Sequence, residues 1–129
     1  MLLAQLYVRA GRFDEAEQTL QQAAGLNGYA VWSADVERVH GDIAASRENP
    51  DWTAAEAAYR SSLAIAQRQR ADLLACKAGV SLAVLLERLG RRQEGHALLK
   101  TCLDRLREGD DLPVIRNARS VMRQLANAP

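Results

Sequence analysis

Three passages of this 129-residue chain obey one grammar: "GRFDEAEQTLQQAAGL" from Gly11, "PDWTAAEAAYRSSLAIA" from Pro50 and "GRRQEGHALLKTCLDRL" from Gly90. A turn residue comes first. Five positions on stands a small residue (Ala16, Ala55, Gly95), four later a larger one (Leu20, Tyr59, Leu99), and three later another small one (Ala23, Ser62, Cys102). Spacings of three and four put these positions on one face of a helix. A small side chain on that face lets a second helix come close, so each passage requires a neighbour.

The neighbour precedes it each time. Ala4 in "LLAQLYVRAG", Gly41 in "VERVHGDIAASREN" and Ala83 in "VSLAVLLERLG" supply a small residue on an earlier helical segment. The unit is helix, turn, helix, with larger side chains interdigitating across an antiparallel pair. Ala, Leu, Arg, Glu and Gln dominate, and Pro50, Pro113 and Pro129 all avoid the periodic stretches. That composition predicts helix throughout. Helices are expected at about 2–10, 12–25, 30–47, 52–68, 71–89 and 91–107. Three repeats follow, at about 1–28, 29–69 and 70–108, within a single domain of residues 1–129.

A seventh helix, at about 112–127, follows "GDDLP", with Asp111 as N-cap and Pro113 in the first turn. Ile115, Ala118, Met122 and Leu125 form its apolar stripe and Arg116, Arg119 and Arg123 its polar face. Such a helix closes the last apolar surface of a stack. At the other end Leu2, Leu3 and Leu6 have no earlier helix to cover them. An open apolar end predicts either a homodimer or a chain cut from a longer one, and the second is favoured because so few residues precede Gly11.

These units resemble the tetratricopeptide repeat, whose W-x₂-L-G-x₂-Y…A-x₃-F…P pattern is a packing code for two helices. Leu3-Ala4-x-x-Tyr7 and Ala16-x-x-x-Leu20 stand for its two halves in the first unit, and Leu82-Ala83-x-x-Leu86 and Gly95-x-x-x-Leu99 in the third. The resemblance implies an all-α superhelix, or solenoid, of three hairpins with a C-terminal capping helix. Two departures stand out. The turns are 39 and 40 residues apart rather than 34, and Gly41 and Ala55 are 14 apart where the other pairs are 12. Two extra residues are therefore expected in "SRENPDW", and register is uncertain around it.

The stretch from "VERVHGDIAAS" to "VMRQL" also resembles the C-terminal helical-repeat region of bacterial nucleotidyl cyclase–ATPase fusions and maltose-activator-like regulators. The "AEA" helix, the "GRR-x-E" turn and Glu108-Gly109-Asp110-Asp111-Leu112-Pro113 carry that likeness. It implies a sensor or protein-contact arm of a larger signalling protein. No G-x-x-x-x-G-K-[ST] loop occurs in the chain. The expected function is a protein-interaction scaffold rather than an enzyme, with the regulatory arm as the second reading and a nucleic-acid or small-ligand sensor as the third.

In the repeat class that the chain resembles, the first helix of each unit lines a concave groove. Carried over, its outward positions are Gln5, Val8 and Arg9, then Asp35, Arg38 and Asp42, then Lys77, Val80, Val84 and Arg88. Gln5, Arg9, Arg38, Asp42, Lys77 and Arg88 are the expected partner contacts. Of the five positions of the carboxylate clamp known in such repeats, only Lys77 matches; Met1, Gln5, Val39 and Ser81 hold the others. A peptide laid along the groove fits better, its acidic side chains meeting Arg9, Lys77 and Arg88.

Net charge is +1, split as −4 over residues 1–64 and +5 over 65–129. That is short of the dense basic stripe of a nucleic-acid binder, even with Lys77, Arg88, Arg91 and Arg92 as the densest patch. His40 has only Glu37 at ligand spacing and His96 has nothing, so neither a metal nor another cofactor is expected. Cys76 and Cys102 lie on apolar faces, which suits buried free thiols in a reducing cytoplasm and disfavours a reactive thiolate. Trp52 is read as packing and Trp32 as either packing or contact. Asn27-Gly28 reads as a helix stop, with Gly28 left-handed. The longest apolar run, residues 78–86, is too short to span a bilayer, and "MLLAQLYVRAGRF" lacks the basic start of a signal peptide.

Overall fold

The grammar of turns becomes a grammar of backbone hydrogen bonds in the computed structural model, which describes residues 2–24, 29–106 and 112–127. Seven helices and no strand occur among the described residues: α1 Leu2–Arg9, α2 Phe13–Ala24, α3 Tyr29–Ser46, α4 Trp52–Arg68, α5 Asp72–Arg88, α6 Arg92–Asp104 and α7 Pro113–Asn127. Gly11 and Gly90 take φ of 75° and 79°. Each opens the same double closure, the Gly11 and Arg12 amides donating to Val8 and Tyr7, the Gly90 and Arg91 amides to Glu87 and Leu86. This is the Schellman arrangement, in which a left-handed residue satisfies the last helical carbonyls. The α4–α5 turn uses it too, its Arg70 and Ala71 amides donating to Gln67 and Ala66. There the left-handed residue is Arg70, at φ 55°.

After each glycine stands the same pair. Arg12 bridges to Glu15 and Arg91 to Glu94, so "GRFDE" and "GRRQE" both set an Arg–Glu pair on the first turn of the next helix. Neither exposed pair adds much stability, although each glutamate lies favourably at a positive helix end. The α3–α4 connection, 47–51, is five residues against three at 10–12 and 89–91, so the two extra residues lie where the spacing puts them. Asp51 ends it as an N-cap, Oδ1 accepting the Ala54 amide at 2.9 Å. Asn27, Gly28 and the Asp111 cap lie outside the described residues, as do the side chains of Leu2 and Trp32.

The chain divides into two compact units, Met1–Ile65 and Ala66–Pro129. In the first, α1 packs on α2 and α3. Ala4, Ala16, Leu20, Val36, Val39 and Ile43 make its core, with Tyr7, Val8 and Phe13 at the margin. Ser62 of α4 is buried there and donates its hydroxyl to the Ala34 carbonyl at 2.6 Å. In the second unit α5, α6 and α7 pack pairwise around Cys76, Ala83, Leu99, Ala118, Val121 and Leu125. Arg116, Arg119 and Arg123 face outward.

Two close contacts of the second unit lie between small residues. A Cβ on Gly95 would stand 3.1 Å from the Ala83 carbonyl oxygen and 3.3 Å from its Cα. One turn along, a Cβ on Gly79 would meet Cys102 Sγ at 3.0 Å. Higher numbers on α5 thus meet lower ones on α6, as an antiparallel hairpin requires.

Helix propensity alone predicts that Gly95→Ala gains about 1 kcal/mol. The contact with Ala83 backbone reverses the sign, and a loss of about 1–2 kcal/mol is expected in urea unfolding followed by circular dichroism. Arg70→Gly removes a left-handed L-residue and should gain about 1 kcal/mol in the same measurement.

Candidate functional site

A groove of about 550 Å³ opens on the first unit, between the α1 and α3 faces and the Gly11 turn. Gln5, Val8 and Arg9 of α1, Phe13 of α2, and Arg38 and Asp42 of α3 line it. Positions 5 and 9 follow one another by one turn on α1, as 38 and 42 do on α3, so two helices present matched stripes. The groove thus gathers four of the six expected contacts. Lys77 and Arg88 lie on α5 of the second unit, both exposed.

The α3 side of this groove is a buried polar network. Arg38 lies between two carboxylates, its Nη2 3.4 Å from Asp35 and its Nη1 3.5 Å from Asp42, and only 13% of its side chain is exposed. Its Nε is buried without a hydrogen-bond acceptor. Asp42 in turn accepts a 2.5 Å hydrogen bond from the Tyr59 hydroxyl of α4. The Tyr59 ring lies on Gly41, where a Cβ would stand 2.5 Å from Cε1. A glycine is therefore needed so that the ring can pass and its hydroxyl can reach the next residue.

Burial pushes the Asp42 carboxyl above its ordinary value, against the Tyr59 hydrogen bond and the Arg38 charge, which pull it down. Tyr59 is raised well beyond the ordinary phenol range by burial, and then by the charge and hydrogen bond of Asp42. Its proton stays on oxygen as a fixed donor.

The α1 side is different. Arg9 is exposed and forms no ion pair among the described residues. Between the two sides Val8 and Phe13 give an apolar floor, and Arg47 lies over the Phe13 ring at 5.4 Å.

The repeat grammar marks Tyr59 as a packing residue only, and its polar role is not contained in it. A buried tyrosine needs a partner for its hydroxyl, and an acid beside the facing glycine is the signal that could have found it.

A second groove, about 850 Å³, lies on the other unit and is lined by Glu87, Gly90, Arg91, Arg92, His96 and Leu125 among others. None of the six expected contacts lines it. The basic patch around it is partly neutralised, Arg91 bridging to Glu94 at 2.9 Å and Arg92 to Glu87 at 3.5 Å. Cys76 and Cys102 are free and buried. Burial, with Cys102 nearby, pushes the Cys76 thiol up to about 11, and burial also raises Cys102. Neither is a ready nucleophile. Among the described residues no three His, Cys, Asp or Glu side chains group as a metal site, and no helix is long and apolar enough to cross a membrane. Comparison with protein-family models, curated proteins and solved structures finds no match.

Asp42 titrates higher in the folded chain than its ordinary 3.8. Its own contribution to stability is thus full at lower pH and is lost as pH rises through the folded value. The Tyr59 hydrogen bond limits that loss. Tyr59→Phe keeps the ring on Gly41 and removes only the donor. It should cost about 2 kcal/mol near neutral pH, and less once acid protonates Asp42, in urea unfolding at a series of pH values.

Proposed function

We propose that this chain is a protein-interaction module of the tetratricopeptide-like kind, a solenoid of three helical hairpins and a capping helix working in the cytoplasm. Its work is to hold a peptide or an extended segment of a partner protein. One observation carries the reading: Gln5, Val8, Arg9, Arg38 and Asp42, outward positions of α1 and α3 that the repeat resemblance supplies, line one groove with an apolar floor and charged walls. Peptide grooves combine these parts, apolar contact for affinity and charge for register. Small residues buried at the helix contacts support the repeat reading, because they are the positions its packing code requires to be small.

Leu3 and Leu6 of α1, 51% and 49% exposed, favour a second reading. In it, that face is covered by other polypeptide. This chain would then be a regulatory arm of a larger signalling ATPase, cyclase or transcriptional regulator, or would pair with a second copy. Light scattering after size exclusion separates these: a concentration-dependent dimer lost in Leu3→Glu/Leu6→Glu supports self-pairing, and a strict monomer rejects it.

The second unit carries its own expected contacts, Lys77 and Arg88 of α5, both exposed. Lys77→Glu/Arg88→Glu should weaken retention on arrays of acidic peptides about tenfold, near 1.4 kcal/mol, and flatten its salt dependence. Unchanged retention removes these two positions from the contact surface.

A further inference from the structure

We infer that the groove of the first unit reads a peptide of mixed charge, an acidic and a basic side chain flanking an apolar one, rather than a run of acids. The inference rests on the peptide-binding reading and sets the chemistry of the partner.

The two arginines of the groove are not equivalent. Arg38 is committed, its two terminal nitrogens facing Asp35 and Asp42 and its side chain mostly buried. Two carboxylates against one guanidinium leave that wall with net negative charge. Asp42 is its accessible member, lining the groove with 31% of its side chain exposed. The Tyr59 hydrogen bond occupies Oδ1, and Oδ2 faces Arg38 at a loose 3.5 Å. At that separation the ion pair leaves capacity for another donor.

A second carboxylate brought to this wall would meet like charge, and the arginine of the wall already faces Asp35 and Asp42. On the opposite wall Arg9 is exposed and makes no ion pair among the described residues, so it attracts an acid. Val8 and Phe13 between them accept an apolar side chain, with Arg47 over the ring fixing its plane.

Packed helices stand about 8–10 Å apart. An extended peptide advances about 3.3 Å per residue, so charges three positions apart span the groove. The partner motif is therefore an acid for Arg9, an apolar residue over Val8 and Phe13, and a Lys or Arg for Asp42.

Four synthetic peptides of equal length test this, titrated into the full ¹⁵N-labelled chain and followed by amide shifts of groove residues. One carries Glu and Lys three positions apart with Leu between; the others replace the pair by Glu and Glu, by Lys and Lys, or by Gln and Gln. The mixed peptide should bind about tenfold more tightly than each of the others. Arg9→Glu, at an exposed site that leaves the fold intact, should move the preference to the Lys–Lys peptide. Asp42→Asn should relieve the penalty on the Glu–Glu peptide; its amide spectrum reports whether it is folded, and Arg9→Glu carries the test alone if it is not. Equal or tighter binding of the Glu–Glu peptide overturns the charge pattern and leaves peptide docking standing. No shifts with any peptide at millimolar concentration overturn both.

Discussion

How closely two helical backbones can approach sets the rest of this structure. Where Gly95 meets Ala83, the carbonyl oxygen and Cα of Ala83 lie against bare backbone, and where Gly41 meets Tyr59 a ring does. Each missing side chain gives up helix propensity, about 1 kcal/mol per glycine relative to alanine. Close packing returns dispersion contacts along the neighbouring turns, where Leu99, Leu82 and Leu86 are wholly buried. The same approach shapes the groove wall. Tyr59 reaches Asp42 only because residue 41 has no side chain.

That dependence explains which features could be read in advance. Helix positions follow from periodicity and turn chemistry, both local: Gly11 and Gly90 mark left-handed closures, and Arg12–Glu15 and Arg91–Glu94 repeat because their spacing repeats. Small residues on helix faces mark contacts, so Ala4, Ala16, Ala83 and Gly95 are legible as core without coordinates. Arg70 is the exception. Nothing about an arginine announces a left-handed residue, and only the three-residue length of the α4–α5 turn demands one there.

Four of the expected contact positions line one groove, but how their side chains pair is not legible from a helix face. The i, i+4 spacing puts Gln5 and Arg9 on one stripe and Arg38 and Asp42 on another, and the repeat resemblance implies that the two stripes face one groove. Neither says what else touches them. Arg38 and Arg9 are the same residue type on equivalent-looking faces, yet one is held between two carboxylates and the other faces water. Asp35, an outward position by count, is an internal partner, its side chain 13% exposed. Pairing of this kind depends on the neighbouring element, here α4 and its tyrosine, and no periodicity within α3 carries that information.

Such a network contributes little net stability. A buried guanidinium flanked by two acids spends on desolvation much of what it gains in attraction, and an unaccepted Nε–H adds to the cost. An apolar pair in the same volume would hold α3 and α4 together at least as well. What it would not do is leave a carboxylate at the groove wall, oriented from below by a proton that Tyr59 does not release. Asp42 is thus tied to Tyr59 and Arg38 on one wall of the groove, whereas Arg9 on the other is exposed. If the groove holds a peptide as proposed, the committed wall would select by charge, and the exposed arginine would set the strength of attraction and its sensitivity to salt.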